Sequence, residues 1–194
     1  QYRYHDDWRP RRDRGKYAVT LAFGKALPHI RRRVARDIPR SRLDRTRLTA
    51  AVVRLMDVAH VRVGNPEYAT QNDSYGATTL KAKHAILDGH AFQLRFTAKG
   101  GKQVRRRITD RQLVRTVRRC HELPGQALFT YADESGKTRP ITSGEVNDYL
   151  REISGVDLTA KDYRTWFASM YALVQLCGSA PESERARPRV AVSG

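Results

Sequence analysis

At 194 residues the chain is long enough for one well-packed core and too short for several. Its 37 Lys and Arg against 20 Asp and Glu leave a formal net charge of +17, more than solubility needs, which favours a polyanionic partner and nucleic acid first. No apolar run reaches the length of a membrane span and no signal-peptide pattern opens the chain; Cys120 and Cys177 alone make neither a zinc site nor a disulfide framework and read as buried thiols. A soluble cytoplasmic protein is expected. Arginine outnumbers lysine 29 to 8, and a planar guanidinium matches two phosphate oxygens at once, although many of these arginines only solvate helix faces. A chain that starts at Gln1, inside what reads as a folded segment, is expected to be a fragment.

Residues 1–15 mix polar and aromatic groups without a steady period and read as a loop or a strand end. From Lys16 to about Asp37, Val19, Leu21, Phe23, Leu27, Ile30 and Val34 have mostly helical spacing broken near Pro28, which gives two helices or one kinked helix, with Arg31, Arg32, Arg33 and Arg36 as a basic face. Leu48, Val52, Leu55 and either Val58 or Ala59 then mark a buried helix that stops before Gly64 and Pro66. Over residues 77–110 the period changes to two. Phe92, Leu94 and Phe96 alternate with Gln93, Arg95 and Thr97, and Asp88-Gly89 and Gly100-Gly101 supply turns, so a three-stranded antiparallel meander is predicted. A helix at about 110–122, a short segment at 127–131, a helix at about 143–153 and a long helix at about 159–177 follow, and residues 178–194 are expected to be disordered. The fold class is α+β, mainly helical, with one small three-stranded antiparallel sheet.

There is no phosphate-cradling glycine loop ending in Lys-Ser/Thr, no HExxH and no paired-cysteine spacing, and His121 beside Cys120 has no partners, so neither ATP nor a metal is implied. What remains is a set of cations in informative places. Arg62 follows the buried helix at a glycine-containing turn, Lys99 precedes Gly100-Gly101 at a hairpin tip, and Arg164 lies near the start of the last helix between Tyr163 and Trp166. Each by itself is more often a solvated charge. For Arg164 the aromatic neighbours imply partial burial and hence an anionic partner, which could be Asp162 or Asp157 in a purely structural pair.

The combination of "RYHDDW", "KYAVTLAFGKALPHIRRRV", "VRVGNPEYATQNDSYGATTLKAKH", "FTAKGGK" and "KDYRTW", in this order and approximate spacing, resembles the type IB DNA topoisomerases, particularly their bacterial and poxvirus branch, over residues 1 to about 177. The resemblance implies the end of an N-terminal β domain and a linker at 1–15, a catalytic core at 16–177 and a tail at 178–194. It implies strand breakage by a tyrosine that forms a 3'-phosphotyrosyl link and frees a 5'-hydroxyl, swivelling, and religation, without ATP, nucleotide or metal cofactor. Arg62, Lys99 and Arg164 match the family's catalytic cations, and Tyr2, Tyr4, Tyr68, Lys81 and Lys83 match positions expected to approach DNA. Double-stranded DNA is the implied partner of a monomeric, nucleoid-associated protein. The family's Gly-His/Asn-Thr-Pro segment and the tyrosine beyond it have no counterpart here. Tyr171, two helical turns after Arg164 and flanked by Met170 and Leu173, reads as a packed aromatic. The expectation is a truncated domain that binds DNA and does not cleave it unaided. A tyrosine recombinase or integrase shares the Arg/Lys/Arg logic but would carry His where Lys161 stands, and a basic module without chemistry would explain only the charge.

Overall fold

A computed structural model describes residues 8–123 and 125–178, with side chains from residue 17 onward. Helix α1 (Trp8–Asp37) is one continuous element of 30 residues. Residues 8–15, expected as loop or strand, form its first turns; Tyr2 and Tyr4 lie outside the described residues. Phe23, Leu27, Ile30 and Val34 make a single buried stripe at helical spacing. Pro28 sits on the opposite, exposed side, and the stripe holds both halves of the helix against the same core.

Helix α2 (Arg45–Ala59) is the central element. Asp44 caps it by accepting a hydrogen bond from the Arg47 amide at 2.8 Å, and His60 closes it in the left-handed region at φ 55°. Ala59 turns inward and Val58 outward. Two buried carboxylates fasten the helices together. Asp57 of α2 accepts two hydrogen bonds of 2.9 Å from the Arg31 guanidinium of α1, and Asp37 at the end of α1 accepts from Arg33 at 3.0 Å and from the Tyr149 hydroxyl at 2.9 Å. Each carboxylate is buried while its arginine is 48% or 40% exposed, so solvent screens the pairs and each is worth well below a fully buried one.

A short helix α3 (Pro66–Gln71), capped by Asn65, follows an extended segment; six residues with no buried side chain leave too little apolar pattern to announce it in sequence. The meander is β1 (Ala85–Asp88), β2 (Ala91–Ala98) and β3 (Lys102–Ile108), antiparallel in the order β1-β2-β3. Gly89-His90 is a two-residue turn, with Gly89 at φ 55°, and Lys99-Gly100-Gly101 is a three-residue loop whose glycines take φ 78° and 73°. Phe92, Leu94 and Phe96 point into the core. Helix α4 (Arg111–His121) is capped by Asp110 and buries Leu113, Val114, Val117 and Cys120.

The segment expected at 127–131 contributes to a second hairpin, β4 (Thr130–Ala132) with β5 (Thr138–Pro140), too short to show a period. Helix α5 (Ser143–Ser154) opens with a reciprocal Thr142–Glu145 cap, and α6 (Ala160–Gly178) completes the body. The architecture is α+β and mainly helical. Two expectations for α6 are corrected: Tyr171 is 70% exposed rather than packed, and Cys177 is exposed, because only the first turns of α6 lie on the core. Cys120 is buried as expected, and burial pushes its thiol up to about 12. The tail expected at 178–194 lies outside the described residues except for Gly178, which ends α6. No helix among the described residues is long and apolar enough to cross a membrane.

Candidate active site

The segment after His60 carries Arg62, and its backbone is fixed by a neighbouring turn. The Ala77 amide donates to the Arg62 carbonyl at 2.8 Å, while the Thr78 amide and hydroxyl donate to the Val63 carbonyl at 2.7 and 2.9 Å. This contact is so close that a Cβ at Gly76 would lie 2.5 Å from the Gly64 nitrogen and 2.7 Å from the Arg62 oxygen. Gly76 has an ordinary extended φ of −150°, so space and not conformation requires glycine there. With its backbone locked, the exposed Arg62 side chain leaves from a defined point.

Lys99 sits at the tip of the β2–β3 loop, and its Nζ lies 5.0 Å from the centroid of the Tyr68 ring on α3. The Tyr75 amide donates to the Thr97 carbonyl at 2.8 Å and ties the strand end to the loop after α3.

Arg164 is held indirectly. Asp162 accepts hydrogen bonds from the Thr159 amide and hydroxyl at 2.8 and 2.9 Å, and Asp157 binds Arg151 at 3.0 Å, so neither carboxylate pairs with Arg164. The aromatic neighbours do not bury it either. Tyr163 meets Phe23 edge-on at 4.7 Å, Trp166 packs over Gly24 of α1, and Phe167 stacks on His60 at 4.0 Å. These rings occupy the core side of α6, and one residue's rotation of about 100° carries Arg164 off that side into solvent. The expected partial burial of Arg164 is therefore corrected: its aromatic neighbours anchor the helix.

Arg62, Lys99 and Arg164 line one pocket of about 210 Å³, together with Lys161, Tyr68 and Tyr75. No carboxylate lines it. Burial and, second, the charge of Arg164 lower the pKa of Arg62, so the two guanidiniums feel each other's repulsion. Among the described residues no ion pair relieves Arg62, Lys161 or Arg164. Cations brought together without a counter-charge make a site for an anion with several oxygens.

Residues 5–192 match the family described as eukaryotic DNA topoisomerase I, catalytic core. The chain belongs to this topoisomerase I family. Among the curated relatives, DNA topoisomerase 1B of Acanthamoeba polyphaga mimivirus is 28% identical over 180 residues, which cover 91% of this chain and 54% of that protein. DNA topoisomerase 1 of Mycosarcoma maydis is 24% identical over 193 residues, covering 88% of this chain and 19% of that protein. The chain thus spans about half the length of the first relative and about a fifth of the second. The type IB resemblance of the sequence agrees with this membership.

Of the other residues singled out in the sequence, Tyr68 lines the pocket and is 45% exposed, but its face is under Lys99. Lys81 lies beside the pocket wall, its Nζ 5.4 Å from the Tyr75 ring centroid. Lys83 points elsewhere, into a recess with Ile86 and His121. Buried His84 accepts from the Lys81 amide at 3.1 Å, and burial, then Lys83 and Lys81, lower its pKa. Sequence reasoning missed Lys161 as a pocket residue. Its signal was available, since it precedes Arg164 by one helical turn and shares that face.

Proposed function

We propose that the pocket binds a phosphodiester of double-stranded DNA and acts in type IB strand breakage and rejoining. The carrying observation is the convergence of Arg62, Lys99, Arg164 and Lys161 on one pocket that no carboxylate lines. Arg62 and Arg164 donate N–H groups to the non-bridging oxygens, where negative charge gathers as a tyrosine oxygen bonds to phosphorus and the bond to the 5'-oxygen breaks. Lys99 gives its proton to the departing 5'-oxygen while the proton of the attacking tyrosine hydroxyl passes to water; in religation the 5'-hydroxyl returns a proton to Lys99 and the leaving tyrosine oxygen takes one from water. Lys161 adds charge beside Arg164 and holds an adjacent phosphate oxygen.

Of the tyrosines lining the pocket, Tyr75 donates its hydroxyl to Asp73 at 2.5 Å, and Tyr68 presents its ring face to Lys99. Tyr171 does not line it; seven residues put it about 10 Å further along α6 than Arg164. We assign the attacking hydroxyl to none of these, so the 194-residue chain is expected to bind duplex DNA and leave supercoils intact.

Anisotropy of a labelled duplex across a salt series tests the grip. Arg62→Ala and Arg164→Ala should each lower the slope of log K against log salt by about 0.9, one released counterion apiece. Unchanged affinity and slope in the double variant would overturn the reading. Plasmid relaxation by the chain itself would overturn the assignment of the nucleophile.

A further inference from the structure

A second cationic recess lies at the other end of the sheet. It has a volume of about 540 Å³ and is formed where the β1–β2 turn, the end of β3 and α4 meet, with His90, Arg107, Arg111, Arg115 and Arg118 in its wall. The β1–β2 turn and the Lys99 loop are at opposite ends of β2, whose eight residues at about 3.3 Å each separate them by about 25 Å. The recess is therefore distinct from the candidate active site.

Its charge is almost unopposed. Arg107 approaches Asp88 at 3.6 Å with both side chains more than half exposed, a weak pair, and Arg118 donates to the Gly89 carbonyl at 2.8 Å. Asp110, the nearby carboxylate at the head of α4, is engaged by Arg54 at 2.8 and 2.9 Å and by the helix amides. Arg111 and Arg115 make no side-chain hydrogen bond or ion pair among the described residues. Arg111, Arg115 and Arg118 stand at i, i+4 and i+7, so they form one stripe along α4 with rises of about 6 and 4.5 Å. Arg111 is also the first residue of α4, where the helix dipole disfavours a cation; the fold gains nothing from its charge there. Phosphates along one DNA strand advance by about 3.4 Å of helix axis per nucleotide, so a stripe about 10.5 Å long spans about three of them.

We propose that Arg107, Arg111, Arg115 and Arg118 form a second binding site for the phosphodiester backbone of duplex DNA, about 25 Å from the pocket that holds Arg62 and Arg164. The site rests on the DNA-binding reading above and is separable from it, because the two sites share no residue. It takes phosphates either from the same duplex, extending the footprint, or from a second duplex.

The test uses the whole chain and the variant Arg111→Ala/Arg115→Ala. Both side chains are exposed and unpaired, so circular dichroism and melting should match the wild type. Two lost phosphate contacts lower the salt slope by about 1.8, so between about 50 and 200 mM salt the variant loses roughly tenfold less affinity than the wild type. If one duplex spans both sites, hydroxyl-radical footprinting of the variant loses protection over about seven base pairs at one edge. If a second duplex binds, the footprint is unchanged and the wild type, but not the variant, captures labelled duplex onto an immobilised duplex. A variant with unchanged slope, footprint and capture overturns the proposal even where Arg62→Ala/Arg164→Ala weakens binding. A wild-type chain without DNA affinity overturns both readings.

Discussion

Gly24 is the place where α1 admits the helix that carries Arg164. A Cβ there would meet the Trp166 ring at 2.3 and 2.5 Å, well inside van der Waals contact. In an open helix interior, Gly24→Ala would stabilise by roughly 1 kcal/mol through backbone entropy. Against the ring it must instead displace Trp166, and overpacking of this kind costs about 1–3 kcal/mol. The net effect in the wild type is thus between about zero and a loss of 2 kcal/mol. In a Trp166→Ala background the obstruction is gone and the same substitution should stabilise by about 1 kcal/mol. Urea unfolding of the four proteins measures the coupling directly, and it should be about 1–3 kcal/mol. In thermal melts of a chain this size, each kcal/mol moves Tm by about 2–4 °C. Arg164 is two residues from Trp166, so Gly24→Ala should also weaken duplex binding while Trp166→Ala/Gly24→Ala restores part of it. An equal rise in stability from Gly24→Ala in both backgrounds would refute the contact between α1 and α6.

Gly76→Ala should destabilise by about 3 kcal/mol or more and lower DNA affinity, because the new methyl meets the Gly64 and Arg62 backbone and no side chain can yield; urea unfolding and anisotropy read both effects. Tyr68→Ala should free the Lys99 ammonium from its ring, a contact worth about 0.5–1 kcal/mol, and Tyr68→Phe should keep it; an equal change in duplex affinity for the two would sink the contact. At pH 8 Cys177 should react with iodoacetamide in the native state and Cys120 only after unfolding, as mass spectrometry of the labelled peptides would report. The Cys120 thiol is raised from 9.0 to about 12, so the unfolded chain loses that proton first: its contribution to stability is intact below pH 9 and disappears as pH rises toward 12. Cys120→Ala should flatten the pH dependence of urea midpoints in that window.

Long periodic elements were legible because burial leaves a repeating mark on sequence. The α1 stripe from Phe23 to Val34 and the Phe92-Leu94-Phe96 alternation each identify an element by its period, and Gly89, Gly100 and Gly101 mark turns that need positive φ. The short helix α3 and the β4–β5 hairpin were not legible, since six-residue and three-residue elements held by tertiary hydrogen bonds carry no period. Tyr163 and Trp166 misled in a specific way. Aromatics beside an arginine suggested that they bury it, whereas rotation about the helix axis sends them to α1 and the guanidinium to solvent.

The sequence by itself determined the residue types, the +17 charge and the order of motifs, because these depend only on side-chain chemistry and spacing along the chain. Arg62, Lys99 and Arg164 are 37 and 65 residues apart in succession, and no local rule relates their positions. Only the tertiary structure decided that they share a pocket. It does so through the backbone contact of Gly76 with Gly64, the Lys99 loop over Tyr68, and the seating of α6 on Gly24 and His60, all of them contacts between segments distant in sequence.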